Sequence, residues 1–126
     1  MWLKEKNDYS VVDYGCFSSL SCDYSDYVPI ACQGLNQSEV DLIIGSCDSG
    51  QGVNICANHQ KNVISVLPTN TNDLNTARRH NCPNFISFPS KTWEPENAFK
   101  TFVNAYQKCY FQGGRHSTRI QKSLCL

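Results

Sequence analysis

The sequence lacks an excess of charge of either sign. Its 11 lysine and arginine residues balance its 11 aspartate and glutamate residues, so the formal net charge is zero. Dedicated nucleic-acid binders and polycationic membrane peptides depend on a dominant positive field. The balance argues against both classes, and we expect no nucleic-acid partner and no membrane insertion.

Internal repeats, low-complexity tracts and long apolar runs are also missing. No window could span a bilayer, and the first residues, MWLKEK, contain no apolar run of the length that a signal peptide needs. The simplest explanation is that Met1 was placed on a mature secreted chain whose leader has been removed. The length of 126 residues predicts one domain, 1–126, with a loose segment over residues 1–8, and we expect a monomer.

Enzymatic motifs are absent as well. The sequence has no G-x-S-x-G element and no close pair of carboxylates in a setting that suggests catalysis. A catalytic cysteine is not expected where the number of cysteines is even and all of them can pair. We therefore predict a protein without catalytic residues or cofactors, which is not an enzyme.

What the sequence has in abundance is cysteine. Eight cysteines scattered through a small domain indicate disulfides made in an oxidising compartment. A zinc site would need clustered thiols such as C-x2-C, so we expect no metal. We predict a secreted chain, with possible delivery into host cells, in which all eight pair in an order that the sequence does not specify. They are Cys16, Cys22, Cys32, Cys47, Cys56, Cys82, Cys109 and Cys125.

Asn36 opens an N-x-S sequon and is a candidate glycosylation site, compatible with secretion.

Segments rich in β-branched and aromatic residues, or with regular alternation, predict strands. Two of them, separated by the five polar residues NHQKN, predict a hairpin. The strand segments are residues 9–16, 28–32, 53–57 and 63–68 (the hairpin), 84–88 and 116–124.

Three helices are predicted from periodicity and capping. The first starts at Ser38 with the spacing of a capping box and can end at Gly50. The second starts near Thr71 or Asn72 and stops before a Cys-Pro dipeptide, because the residue before proline is driven out of helical geometry. The longest starts at Pro95, carries one buried stripe and ends at a Gly-Gly pair.

Together these elements predict an α+β domain: an antiparallel sheet of four to five strands with two or three helices on one face. Each predicted helix ends in or near a cysteine, namely Cys47, Cys82 and Cys109. We expect these cysteines to bond to strand or loop cysteines and to staple the helices to the sheet. Bridges confined to one layer are the alternative.

Two stretches carry candidate binding residues. Tyr24 and Tyr27 lie beside aspartates on a cysteine-anchored loop, which is typical of binding surfaces, although tyrosines lying back on the core fit equally well. Arg115, His116 and Arg119 follow the Gly-Gly pair at the start of the predicted last strand. Protection of an edge strand by charge is the alternative explanation for the two arginines.

The three histidines could support acid–base cleavage of RNA, as in small secreted ribonucleases. That mechanism requires at least two of them to converge. The elements predicted for His59, His80 and His116 give no reason to expect convergence. A small secreted hydrolase therefore stays an alternative function.

The last third of the chain has the pattern F-x2-F-V-x2-Y-x2-C-x3-GG followed by a last strand and a cysteine. This pattern resembles small secreted, avirulence-type effectors of plant-pathogenic fungi and the related killer-toxin-like α+β domains. The resemblance implies a non-enzymatic protein that binds a host protein, either an immune receptor or its target. A toxin that perturbs a membrane or channel is a further alternative. The residues that carry the resemblance are Phe99, Phe102, Cys109, Gly113, Gly114 and Cys125.

Overall fold

The computed structural model describes residues 9–93 and 95–124 and alternates helices with short strands. The predicted loose segment 1–8 lies outside this part. The elements in chain order are α1 (Tyr24–Asn36), β1 (Ile43–Cys47), α2 (Gln51–Asn58), β2 (Ser65–Val66), α3 (Thr71–Asn81), β3 (Phe85–Pro89), α4 (Pro95–Lys108) and α5 (Arg115–Leu124).

The three strands form a parallel sheet in the order β1-β3-β2. Parallel neighbours require a crossover connection, and helices α2 and α3 supply it. Strand β3 lies in the centre, and all five of its residues are buried, as expected for a parallel strand covered on both faces. The prediction of an antiparallel sheet of four to five strands is therefore wrong; the described residues form three parallel strands and five helices.

The core lies on both faces of the sheet. Successive side chains of a strand point to opposite faces, so Phe85 packs with one apolar cluster, and Ile86 and Phe88 pack with the other. The Phe85 side is covered by α1 and α2, and the opposite side by α3 and α4. The prediction of helices on one face is wrong because a buried parallel strand needs apolar cover on each side.

Three predicted elements are confirmed: the helix after residue 70, the strand around Phe85–Pro89 and the helix from Pro95. The start of α3 has a clear local cause, since the Asn70 side chain accepts a hydrogen bond of 2.9 Å from the Asp73 amide. Helix α4 begins with a proline at its first position.

Other predicted elements are wrong. Segment 9–16 forms no strand, and segments 28–32, 53–57 and 116–124 lie within α1, α2 and α5. The helix predicted from Ser38 is replaced by strand β1, and Gly50 precedes a helix instead of ending one. Periodicity cannot distinguish a short buried strand from a helix. Residues 43–47 form a strand because they pair with β3.

The predicted disulfide framework is largely absent from the described residues. One bridge joins Cys16 to Cys22, and Cys125 lies outside the described part. The helices are therefore held to the sheet by the two apolar clusters rather than by bridges. The thiols without a bridge are Cys32, Cys47, Cys56, Cys82 and Cys109.

Asn36 is the last residue of α1, and its side-chain amide donates to the carbonyl of Lys61 at 3.2 Å. Its glycosylation stays a prediction. In the described part of the chain, no helix combines the length and the apolarity that crossing a bilayer demands.

Candidate functional site

A tight turn joins β1 to α2 at the carboxyl end of the sheet, where open parallel sheets bind their ligands. Gly50 in this turn adopts φ +75°, and a Cβ atom there would stand 3.0 Å from the backbone nitrogen of Pro89. Glycine suits both the left-handed backbone and the close approach. The turn thus places half-buried Cys47 and exposed Ser49 together at this edge.

Backbone hydrogen bonds hold the turn onto the end of β3. The Ser90 amide donates to the Cys47 carbonyl at 2.9 Å, and the Lys91 amide donates to the Asp48 carbonyl at 3.2 Å. The side chains of Lys91 and Asp48 also form an exposed ion pair of 3.0 Å. The position of Cys47 is therefore set mainly by main-chain contacts.

The amino terminus of α2 lies directly behind the turn. The Gln51 amide donates to the Ser49 hydroxyl at 3.2 Å. The ring of Tyr24 lies so close to Gly52 that a Cβ atom there would overlap with a ring carbon. First-turn amides and the helix dipole make such an end favourable for an anion or for developing negative charge.

A second group of polar side chains lies at the opposite, amino end of the sheet. Helix α3 leads into the start of β3, and α4 returns from its end, so both helices run antiparallel to the strands. Helix α3 therefore ends at the amino end of the sheet, and α5 begins there. A cleft of ≈ 290 Å³ opens between these helices. The residues that line it are Ile64, His80, Asn81, His116, Arg119, Ile120 and Ser123.

Two imidazoles stack inside this cleft. The rings of His80 and His116 lie 4.3 Å apart between centroids and are nearly parallel, at 10°. The Gln112 amide donates to the Arg79 carbonyl at 2.9 Å, which ties the α4–α5 connection to the end of α3. A backbone contact between the α4–α5 connection and α3 therefore supports the stack.

The electrostatics of the cleft favour an anion. Burial is the main cause that lowers the pKa of His116, and the neighbouring charges of His80, Arg115 and Arg119 lower this pKa further. The described residues that line the cleft include no carboxylate. A guanidinium fork beside imidazoles is well suited to phosphate.

The described ranges contain no convergence of three or more His, Cys, Asp or Glu side chains that could hold a metal ion. The two groups are also far apart. Five-residue strands span roughly 15 Å at about 3.3 Å per residue. A small ligand cannot touch both groups within one copy of the chain.

The structure divides the five predicted binding residues between these two ends. Tyr24 lies beside the β1–α2 turn, and the Tyr27 hydroxyl donates to Cys22 Sγ at 3.8 Å. His116 and Arg119 line the cleft, and Arg115 flanks it. Binding of a ligand by these residues stays a prediction.

The predicted elements gave no reason to expect converging histidines, but α3 and α5 bring His80 and His116 together. His59 is exposed at the end of α2. Cys47 and Ser49 were not predicted to act as a pair. The signal was present: an apolar run followed by S-G-Q-G is typical of a strand, a glycine turn and a helix.

Comparison with known proteins gives a consistent result. A family model described as ribose/galactose isomerase matches residues 1–123. Ribose-5-phosphate isomerase B of Escherichia coli is 32% identical over 111 residues, which cover 88% of this chain and 74% of that protein.

Solved structures agree. A ribose 5-phosphate isomerase from Thermotoga maritima superposes with a TM-score of 0.90 at 31% identity, covering 99% of this chain and 85% of that chain. Ribose-5-phosphate isomerase B from Mycoplasma genitalium, with bound ribulose-5-phosphate, gives 0.84 at 29% identity over 97% of this chain and 81% of that one.

These findings overturn the resemblance to secreted fungal effectors, and with it the expected host-protein partner and the expected lack of catalysis. The toxin and ribonuclease alternatives do not fit either. The motif behind the resemblance is generic, because Phe102 belongs to the packed face of α4, and Gly113 and Gly114 have the positive φ of a turn between two helices.

Proposed function

The chain belongs to the ribose/galactose isomerase family, and on that premise we propose that it interconverts an aldose phosphate and the corresponding ketose phosphate. Ribose 5-phosphate and ribulose 5-phosphate are the favoured pair because they appear in the names of the relatives. Within the molecule, the observation that carries the proposal is the cationic cleft around Arg119, since a phosphate ester supplies the negative charge that this cleft lacks.

The reaction moves a hydrogen from C2 of the aldose to C1 and passes the proton on O2 to O1, with no net oxidation. A base removes the C2 proton and returns a proton to C1. The intermediate enediolate carries its negative charge on oxygen, where hydrogen-bond donors stabilise it. A bound phosphate fixes the reacting carbons relative to the base.

We assign the base to Cys47. Its position at the end of β1 is held by the Ser90 amide, so a thiolate there would be well placed rather than mobile. The Ser49 hydroxyl and the first amides of α2 are the donors for the enediolate oxygens.

The cleft supplies the remaining functions. Arg119 offers a guanidinium fork to the phosphate, with His116 beside it. Because aldopentose phosphates are mainly cyclic, the ring must open before isomerisation. His80 and Asn81 line the same cleft, and the imidazole can exchange a proton with the ring oxygen.

Within one copy of the chain, Cys47 and the cleft lie at opposite ends of the sheet. Their separation is greater than the length of a five-carbon sugar phosphate. We therefore propose that a site combines Cys47 of one copy with the cleft of a second copy. In a symmetric dimer, each copy contributes the same two surfaces, so two equivalent sites form.

The first experiment follows ketose formation from ribose 5-phosphate by NMR. We expect the wild-type chain to isomerise it and Cys47→Ser to lose about 10³-fold in kcat, because the base is removed. Cys56→Ser is the matched control and should retain kcat within about twofold. Absence of isomerisation by the wild type, or equal loss in both variants, would contradict the proposal.

The second experiment tests the two-copy site. Arg119→Met should raise KM by about tenfold or more, whereas Lys122→Met, on the same helix but outside the cleft, should not.

If Cys47→Ser is mixed with a strongly impaired Arg119→Met and the subunits exchange, half of the dimers carry one intact site. Activity should then rise to about a quarter of wild type. No gain on mixing would show that each site lies within one copy.

A further inference from the structure

We propose that the Cys16–Cys22 bridge is a redox-sensitive positioning element for the β1–α2 turn, acting through Tyr24. The kinetic part of this inference rests on the proposed isomerase function. The structural part stands on contacts that are independent of it.

The bridge is joined to the first turn of α1. It closes residues 16–22, which end immediately before the helix cap Asp23. The Asp26 amide donates to the Asp23 carbonyl at 3.0 Å, and the Tyr27 hydroxyl reaches Cys22 Sγ at 3.8 Å. The disulfide-closed ring therefore limits where α1 begins.

Tyr24 transmits this position to the turn. It is the first residue of α1, and its ring fills the space above Gly52 so tightly that a Cβ atom there would lie within 2.8 Å of two ring carbons and the hydroxyl oxygen. Gly52 belongs to the first turn of α2, whose amides follow Ser49. A shift of Tyr24 thus changes the packing directly behind the proposed enediolate donors.

The segment that leads into Tyr24 is largely exposed. Phe17 and Leu20 are 83% and 78% exposed, and both bridged cysteines are exposed as well. The segment before α1 contains no helix or strand from residue 9 onward. The covalent bridge is therefore a restraint on the segment that leads into Tyr24, and small thiol reagents can reach it. Cys32 and Cys109, by contrast, are buried.

The redox step is ordinary thiol–disulfide exchange. Two cysteine thiols react with one low-molecular-weight disulfide to give the Cys16–Cys22 bridge and two molecules of the corresponding thiol. Two electrons pass from the cysteines to the reagent, and a dithiol reductant reverses the step.

The test compares the full chain in oxidised and reduced glutathione buffers, with the bridge verified by intact mass after alkylation. Reduction of the wild type should lower kcat/KM by about tenfold, because small misplacements near reacting groups are costly. The double variant C16S/C22S should stay at the lower value in both buffers, and Cys56→Ser should respond like the wild type. A redox response that persists in the double variant, or an oxidised sample without the bridge, would overturn the proposal.

Two further measurements separate this proposal from the proposed function. Hydrogen exchange of the amides in the first turns of α1 should become faster on reduction in the wild type and stay unchanged in C16S/C22S, whatever the catalytic activity. Tyr24→Ala should make kcat/KM equal in the two buffers. Unchanged exchange on reduction rejects the positioning role, whereas changed exchange in a chain without isomerase activity rejects only the isomerase assignment.

Discussion

The two ends of the parallel sheet position their polar groups in different ways. At the carboxyl end, Cys47 is held by a turn whose backbone bonds to the end of β3 and whose glycine accepts a positive φ. At the amino end, the side chains of His80 and His116 stack on each other, and a backbone bond from Gln112 to Arg79 supports the stack. The first end should therefore be sensitive to backbone changes, and the second to charge and pH.

The largest effect is expected from Gly50→Ala. The new Cβ would have both a strained φ and a contact of 3.0 Å with the Pro89 backbone nitrogen, so we expect a loss of about 3 kcal/mol in the free energy of unfolding. Gly114→Ala is the matched control, because its φ is +60° but nothing lies within 4 Å of the added atom. Its loss should be about 1 kcal/mol. If urea unfolding gives equal losses in stability for the two variants, the contact with the Pro89 backbone nitrogen does not contribute to the loss at residue 50.

An intermediate effect is expected from pH at the amino end. The pKa of His116 is lowered in the folded state, mainly by burial, so between this value and about 6.5 the unfolded chain binds more protons than the folded chain. The stability that neutral His116 contributes is therefore present above about pH 6.5 and is lost as the pH falls toward the folded pKa.

The measurement is the change in melting temperature with pH for the wild type and two variants. His116→Gln should weaken the decline below about pH 6.5, and His59→Gln, at an exposed position, should leave it unchanged. Inorganic phosphate should oppose the decline by stabilising protonated His116. A pH dependence that is identical in His116→Gln would show that other groups cause it.

The smallest effect is expected from the Asp48–Lys91 ion pair. Both side chains are largely exposed, so Lys91→Met should change the free energy of unfolding by less than about 1 kcal/mol and kcat by less than about twofold. The amide of residue 91 can still donate to the Asp48 carbonyl in this variant. A much larger loss would mean that the carboxyl end also depends on charge.

Some of the fold could be predicted because its causes are local. Helix α3 has its cap at Asn70, β3 is a short apolar run, and α4 has a proline at its start and an apolar stripe. These signals lie within a few residues of the element that they specify, so they do not depend on how the rest of the chain packs.

Other elements could not be assigned from local pattern. Alternation over 116–124 suggested a strand, although His116, Arg119, Ile120 and Ser123 have helical spacing and face one cleft. The run IIGSC is compatible with a helix or a strand until its partner is known. The abundance of cysteine also misdirected the assignment of function, since five of the described cysteines are thiols in the fold.

The sequence by itself determined the charge balance, the cap of α3, the apolar stripe of α4, and the chemical identity of the groups that can act, Cys47 among them. Only the tertiary structure decided which of these groups meet. Parallel pairing brings Cys47 beside Ser90, and the end of α3 brings His80 onto His116. Both contacts join residues far apart in the chain, so they depend on the packing of whole elements, which no local pattern encodes.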